Sequence, residues 1–590
     1  MRDQGQRRIF LAVVMLMLLA TVLSACAAPA GTGAPAAAAP VPTKSPEQAK
    51  TLSILYWQAP TILNSHQASG TKDFDAAGVI LEPLARINEK DEYVPYLAAE
   101  LPTVENGGVA ADGTSVTWKL KPGVKWSDGS DFTADDVVFT WQYCADPATA
   151  CATKSSFDPI ANVEAVDPTT VKITWKEPQP NPFVAYTTYN GMILQKAQFA
   201  NCIGANAISD ADCQKANLAP IGTGAYKLEE FKPGDTAVYV RNENYRDADK
   251  VYFDKVIIKG GGDAASAARA VCETGEVDYA WNLQVQKAVL EPILAGGKCD
   301  SVAGGSFGVE RVELNFSNPD PALGDKRSEP DQPHPILSDL KVRQAIAKAI
   351  DRQAIADQLY GPTGSATCNI AAAPAAIYSP NTKCERDVEG AKKLLEEAGW
   401  TDTNGNGTVD KDGKELVLSF TTTISALRQG EQAIIKENLA EIGIQVDLKA
   451  IDAGVFFGGD PGNPDTLNKF YADLQMYTNS PDSPDPAYYF AGWQCDKANS
   501  KANNWQGGNA GRYCNKDFDA AYAEFAKEFD PAKRAELAIG LNDMLVDDVA
   551  IIPLINRVTP SGKAKDIVGP TYNTFDSNLW NVGTWSRQEP

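Results

Sequence analysis

Histidine is almost missing from this chain: His66 and His334 are its two copies. That leaves little material for a zinc site or for histidine-dependent catalysis. No two cysteines stand at Cys-x-x-Cys spacing, so a cysteine-ligated metal centre lacks its usual frame, and no His-Glu-x-x-His is present. Positive charge is also short, with 54 Lys and Arg against 76 Asp and Glu. The resulting net charge of −22 argues against a nucleic-acid partner, whose phosphates need basic patches. No fixed-period repeat is visible, which excludes solenoids and propellers. Beyond the N-terminal segment, no apolar run reaches the roughly 20 residues of a spanning helix.

What is present begins at the N-terminus. Arg2, Arg7 and Arg8 precede an apolar run from Ile9 to Val22, too short to span a bilayer and suited to a signal peptide. Leu23-Ser24-Ala25-Cys26 follows, small residues before a cysteine, as lipoprotein signal peptidase requires. Residues 1–25 therefore read as a lipoprotein signal peptide and Cys26 as the lipid attachment site. Acyl chains worth about 0.8 kcal/mol per buried CH₂ would hold it durably on a membrane. Residues 26–50, rich in Ala, Pro and Gly, read as a lipidated flexible tether. The rest, roughly 540 residues, exceeds what one hydrophobic core usually supports and implies two or three lobes.

Setting Cys26 aside leaves ten cysteines that fall into sequence neighbours: Cys144/Cys151, Cys202/Cys213, Cys272/Cys299, Cys368/Cys384 and Cys495/Cys514. Five short-range disulfides in an oxidising compartment are the simplest arrangement, although spacing alone fixes no connectivity.

Along the body, Thr51–Tyr56 is β-prone. Residues 115–126 read as a hairpin turning at Lys121-Pro-Gly123, and Thr133 as the cap of a helix with Asp135 and Asp136 in its first turn. Residues 163–175 read as a strand pair around Asp167-Pro168. Ser338 opens a helix whose Val342, Ala345, Ile346 and Ala349 share a face, and Glu389–Ala398 is a second helix, ended by Gly399. Strand 416–420, helix 431–442 and strand 444–448 make a βαβ unit, so this part is α/β with parallel pairing.

Several blocks resemble extracellular solute-binding protein family 5, the peptide-binding subunits of ABC importers. Leu120-Lys-Pro-Gly-Val-Lys-Trp-Ser-Asp-Gly129 with Phe132-Thr-Ala-Asp-Asp-Val137 is similar to that family's most recognisable signature, with Ser127 where His is frequent. Pro220-Ile-Gly-Thr-Gly-Ala-Tyr-Lys227, Asn242-Glu-Asn-Tyr245 and Val342-Arg-Gln-Ala345 through Ile350-Asp-Arg352 match further blocks in order. The resemblance implies a periplasmic-binding-protein-like two-lobed α/β clamshell with an additional inserted domain, of the cluster C type. It divides the body into a discontinuous domain I (51–88, 205–306 and 537–590), an inserted domain II (89–204) and an α/β domain III (307–536).

The resemblance also implies a function: capture of di- or oligopeptides by clamshell closure and delivery to ABC permease subunits with cytoplasmic ATPases. The protein is then a monomeric binder rather than an enzyme, anchored on the extracytoplasmic face of the cell envelope. In Tyr477-Thr-Asn-Ser-Pro-Asp482-Ser-Pro-Asp485-Pro486, similar to the family's Trp-x-Ala-Asp-Tyr-x-Asp-Pro, Asp482 takes the place of the aspartate that holds the peptide's ammonium. Trp57, Trp281, Trp493 and Trp505 lie near strand ends or in polar loops and are candidate cleft walls. Asn504 and Arg512, beside Trp505, suit hydrogen bonding to a ligand backbone. Asp402, Asn404, Asn406 and Thr408 occupy positions 1, 3, 5 and 7 of an EF-hand-like loop with Gly407 at position 6, which suggests a structural calcium. Position 12 is Gly413 rather than an acid, and an Asn-Gly turn explains the loop equally well. No other cofactor is expected. The competing readings are an oligosaccharide- or glycoside-binding importer subunit, a lipid-anchored surface hydrolase and an envelope receptor without a permease; nickel transport is disfavoured by the scarcity of histidine.

Overall fold

In Thr51-Leu-Ser-Ile-Leu-Tyr56 large apolar side chains recur at every second position, and a strand places alternate residues on one face. The computed structural model describes residues 45–588 apart from 69, 303–307, 458–461, 482, 506 and 559. In it Thr51–Tyr56 is a strand with Leu52, Ile54 and Tyr56 fully buried. Cys26 and the expected lipoprotein signal lie outside the described residues.

That strand is central to a seven-stranded mixed sheet ordered Cys299–Val302, Ser561–Ala564, Tyr279–Ala280, Thr51–Tyr56, Lys255–Gly260, Thr236–Arg241, Tyr226–Lys232. Both of its neighbours are parallel to it, and a parallel neighbour needs a long crossover. The first crossover, residues 57–254, contains a smaller unit on a three-stranded antiparallel sheet of Ser115–Lys119, Thr170–Trp175 and Ile160–Asp167. Gly222 and Gly224, just before the strand Tyr226–Lys232, let the backbone press on residues 79–80: a Cβ on Gly222 would stand 1.9 Å from the Ile80 carbonyl oxygen.

The expected hairpin over 115–126 is not formed. Ser115–Lys119 pairs with Thr170–Trp175, and its other edge is closed by the Thr117 amide donating to the Gly108 carbonyl at 2.6 Å. With both edges taken, residues 124–126 turn back locally, and Lys125 bridges to Asp131. Thr133 does cap Ala134–Ala145, and the Asp136 carboxylate accepts the Thr133 N–H at 3.0 Å to complete a capping box.

The second sheet has six strands ordered Gly364–Ala366, Ile551–Arg557, Gly308–Leu314, Leu474–Asn479, Val417–Thr423, Gln445–Ile451. Val417–Thr423 and Gln445–Ile451 are parallel across the helix Ala426–Ala440, the expected βαβ unit with an earlier helix start. Asp339 rather than Ser338 caps Leu340–Ala349, accepting the Lys341 N–H at 2.9 Å. Ile551–Arg557 was expected with domain I in the segment 537–590. It pairs instead with Gly308–Leu314, because its nearly continuous apolar run suits a strand buried on both faces. The chain thus joins the two sheets twice, from Cys299–Val302 to Gly308–Leu314 and from Ile551–Arg557 back to Ser561–Ala564.

All five neighbouring cysteine pairs are disulfides: Cys144–Cys151, Cys202–Cys213, Cys272–Cys299, Cys368–Cys384 and Cys495–Cys514. Among the described residues no helix is long and apolar enough to cross a membrane.

Candidate ligand-binding cleft

The strand Leu474–Asn479 leaves the six-stranded sheet into a Pro-rich segment, and the short helix Ala487–Ala491 follows. Facing it are residues 156–190 of the three-stranded unit. The Tyr488 hydroxyl donates to the Ser155 carbonyl at 2.8 Å, a contact that spans the two sides. Three adjoining cavities lie here, the first of them between the two sides.

The largest, about 760 Å³, is walled by Phe183 and Val184 on one side and by Tyr488, Tyr522 and Phe529 on the other. At its polar edge Arg534 donates twice to Asp485, at 2.8 and 2.9 Å, so Asp485 already has its cation. A second cavity of about 240 Å³ lies over Asp75, Asn573 and Asn578. Burial pushes the Asp75 carboxyl up to about 6, against hydrogen bonds from the Tyr56 hydroxyl (2.7 Å) and the Asn578 backbone and side-chain N–H groups (both 2.9 Å).

The third cavity, about 290 Å³, shares Tyr488 with the first and Asn479 and Ser480 with the second. Its back wall is the strand Gly308–Leu314, every residue of which is buried. Arg311 is 2 % exposed there and lies among aromatic rings, 4.9 Å from the centroid of Tyr477 and 5.5 Å from that of Trp493. It donates to the hydroxyls of Tyr489 at 2.6 Å and Tyr477 at 3.1 Å. Burial works against its charge, but the facing Tyr489, Tyr477 and Glu313 side chains outweigh it and hold its pKa above the ordinary value.

The sequence candidates are dispersed. Trp493 lines the third cavity. Trp281 is buried and stacked on Tyr56 with centroids 4.9 Å apart, and Trp57 packs on it and donates its indole N–H to the Asn282 carbonyl at 2.9 Å. Both pack against the seven-stranded sheet, and neither lines the three cavities described. Arg512 is buried and bonded to the carbonyls of Asn499, Asn468 and Lys469, with Trp505 stacked on it at 5.4 Å; these two hold the loop together. Asn504 sits in the left-handed region (φ 52°), closing the turn Lys501–Asn503. Asp482 lies outside the described residues; its neighbours Pro481 and Ser483 line the second and first cavities.

In the loop Asp402–Thr408, Asp402 accepts the amides of Gly405 (2.7 Å) and Gly407 (2.9 Å), Asn404 that of Asn406 (2.9 Å) and Asn406 that of Thr408 (2.8 Å). These side-chain oxygens turn onto the loop's own backbone. Among the described residues, His66, Cys144 and Cys151 form a group of metal-ligand type. The cysteines are bonded to each other, however, and the His66 ring engages Thr153 Oγ1 and the Met192 carbonyl, both at 2.6 Å.

Asp75 carries no signal in the sequence that marks it as a cleft residue, and Arg311 and Glu313 carry a weak one. The available signal was charge inside a strand-like run, Gly308-Val-Glu-Arg-Val-Glu-Leu314.

The family described as bacterial extracellular solute-binding proteins, family 5 (middle) matches residues 92–501. The oligopeptide-binding protein AppA of Bacillus subtilis (strain 168) is 27% identical over 445 residues, covering 74% of this chain and 75% of its own. The glutathione-binding protein GsiB of Escherichia coli (strain K12) is 25% identical over 481 residues, covering 79% of this chain and 82% of its own. Among solved structures, NikZ from Campylobacter jejuni in complex with Ni(L-His) superposes with a TM-score of 0.75 at 25% identity, over 91% of this chain and 100% of that one.

Proposed function

We propose, from the premise that the chain belongs to family 5 of the bacterial extracellular solute-binding proteins, that it captures peptides between its two lobes and delivers them to an ABC import permease. Its fold is the two-lobed α/β architecture of that family. One observation carries the reading: the largest cavity takes its walls from both sides of the cleft, Phe183 and Val184 against Tyr488 and Phe529. A ligand there touches both walls only in the closed form, so its differential affinity drives closure. A volume of about 760 Å³ is that of a small-ligand pocket. Relatives named for oligopeptide and glutathione binding support peptides as the ligand class. Attachment through a lipidated Cys26, which would keep the binder beside its permease, completes the proposal.

Two features weigh against other uses of the cleft. Neither histidine lines it: His66 is held as described, and His334 Nε2 meets Asp473 at 2.8 Å while its Nδ1 accepts the Leu337 amide at 2.9 Å. A metal chelate would therefore find no imidazole there. Gly304-Gly305-Ser306-Phe307-Gly308 has the Gly-x-Ser-x-Gly spacing of a hydrolase elbow, yet both histidines that could serve a nucleophile are engaged elsewhere. The aromatic walls also suit a sugar face, which keeps an oligosaccharide as the second reading. Native mass spectrometry of the protein as purified separates the two. A co-purifying peptide mass is expected; a glycan mass, or turnover of a bound peptide, overturns the proposal.

A further inference from the structure

Asparagine is followed by glycine four times in this chain, at Asn106-Gly107, Asn190-Gly191, Asn404-Gly405 and Asn406-Gly407. The pairing is reactive because glycine has no side chain to block its nitrogen from turning on the preceding side-chain amide. Two of the four stand in one exposed loop, at Asn404 and Asn406. There the backbone itself calls for glycine: φ is 75° at Gly405 and 88° at Gly407. A Cβ at either position would meet nothing within 4 Å, so the turn is open to water.

Around Asn406 each atom that this reaction changes has a partner. The Gly407 N–H, whose nitrogen is the nucleophile, donates to Asp402 Oδ2 at 2.9 Å. Asn406 Oδ1, where negative charge gathers when Cγ is attacked, accepts the Thr408 N–H at 2.8 Å. Asn406 Nδ2, the group that leaves, donates to Glu415 Oε1 at 2.5 Å, and these opposite roles fix the amide's orientation. Asn404 has the first two contacts, with the Gly405 N–H on Asp402 Oδ1 at 2.7 Å and the Asn406 N–H on its own Oδ1 at 2.9 Å. Asn106 is equally exposed, yet the Gly107 N–H donates to the Val104 carbonyl at 3.1 Å, a far weaker base than a carboxylate. At the fourth pair Gly191 is buried, and its N–H donates to the Thr188 carbonyl at 3.3 Å.

We infer that Asn406 is a self-modifying site, converted by its own loop from an amide to a carboxylate with Asp402 as the base. Asp402 takes the Gly407 amide proton as the Gly407 nitrogen bonds to Asn406 Cγ. The Cγ–Nδ2 bond then breaks, and Nδ2 leaves as ammonia carrying that proton. The cyclic imide that remains takes up one water. Opening at Cγ gives aspartate, and opening at the main-chain carbonyl carbon gives isoaspartate. Either product replaces a donor to Glu415 by an oxygen that repels it, and adds a negative charge beside Asp402. Water is the one co-reactant, so the converted fraction counts the time since the chain folded. Nothing in the reaction depends on the ligand of the cleft.

The test is to hold the purified full chain at neutral pH in heavy-oxygen water and follow its Asn-Gly peptides by mass spectrometry over time. Heavy oxygen marks the side chains that convert during the incubation. Asn406 should convert roughly 10-fold or more faster than Asn106 of the same molecule, within what a positioned base supplies. In urea, where the local sequence acts alone, the two should convert at similar rates. Asp402→Asn, checked for an unchanged melting curve, should lower the Asn406 rate about 10-fold. Conversion at Asn406 no faster than at Asn106 overturns the site, as does an advantage that persists undiminished in urea. An Asn406 rate that is unchanged or higher in Asp402→Asn overturns it too, because the loop's hydrogen bonds would then only restrain the amide.

Discussion

Glu310 and Arg311 are consecutive, equally buried and opposite in charge, and the protein treats them in opposite ways. Glu310 accepts from Arg428 at 2.8 Å and also from Arg557 and Thr478, so its charge is enclosed on the helix-covered side of the sheet. Arg311, one residue on, lies on the cleft side with aromatic hydroxyls as its partners and a buried Nε–H that has none among the described residues. Glu310 is neutralised by opposite charges, whereas Arg311 keeps its charge among hydroxyls and ring faces.

The largest effect that tests this contrast is loss of Glu310. Glu310→Ala leaves Arg428 and Arg557 buried without their carboxylate and should destabilise the protein by roughly 3–5 kcal/mol in denaturant unfolding.

Acidity sharpens the comparison next. Burial raises the Glu310 pKa, but Arg428 and Arg557 outweigh it and hold the pKa well below the usual range. The stability it supplies is therefore present above the ordinary glutamate pKa and lost as pH falls below it. Asp75, in the floor of the cleft, has the opposite sign: raised to about 6, it favours the folded state when protonated, and that contribution is lost as pH rises from about 4 through 6. The stability of the natural chain minus that of Asp75→Asn should consequently be greater at pH 4 than at pH 7, by about 3 kcal/mol at most. A difference that grows with pH would refute the assignment.

The smallest effect belongs to Arg311. After Arg311→Met the Tyr489 hydroxyl still donates to the Ile370 carbonyl at 3.0 Å, and the Tyr477 hydroxyl still donates to Glu313. With no hydroxyl orphaned, stability should change by no more than about 1 kcal/mol in the same unfolding assay. A loss as large as that of Glu310→Ala would make Arg311 a structural residue.

Local pattern carried much of the fold. The period of Val342, Ala345, Ile346 and Ala349 announces a buried helix face, and Thr133 with Asp136 announces a capped start. The five disulfides join cysteines at most 27 residues apart, so spacing hinted at them. Pairings made over long separations were hidden. Ser115–Lys119 finds its partner only after the next helix, and Ile551–Arg557 pairs with a strand that precedes it by more than 200 residues. The cleft suffers most from this. Arg311 reads as one charge among many until Tyr477, Tyr489 and Trp493 are folded around it, and Trp281 and Trp505 resemble wall residues until their neighbours enclose them.

The double connection between the sheets has a consequence for the order of assembly. The six-stranded sheet draws its strands from one continuous stretch, Gly308 to Arg557. The seven-stranded sheet does not: Ser561–Ala564, near the C-terminus, lies between Tyr279–Ala280 and Cys299–Val302 and pairs with both. As the chain emerges into the oxidising compartment, the edge strand Cys299–Val302 therefore has no backbone partner in its sheet until almost the whole chain has appeared. Meanwhile the Cys272–Cys299 disulfide is available to hold it beside the lobe it will join. The lobe that carries Arg311 has all its strands first, and the sheet where the chain began is the last to be closed.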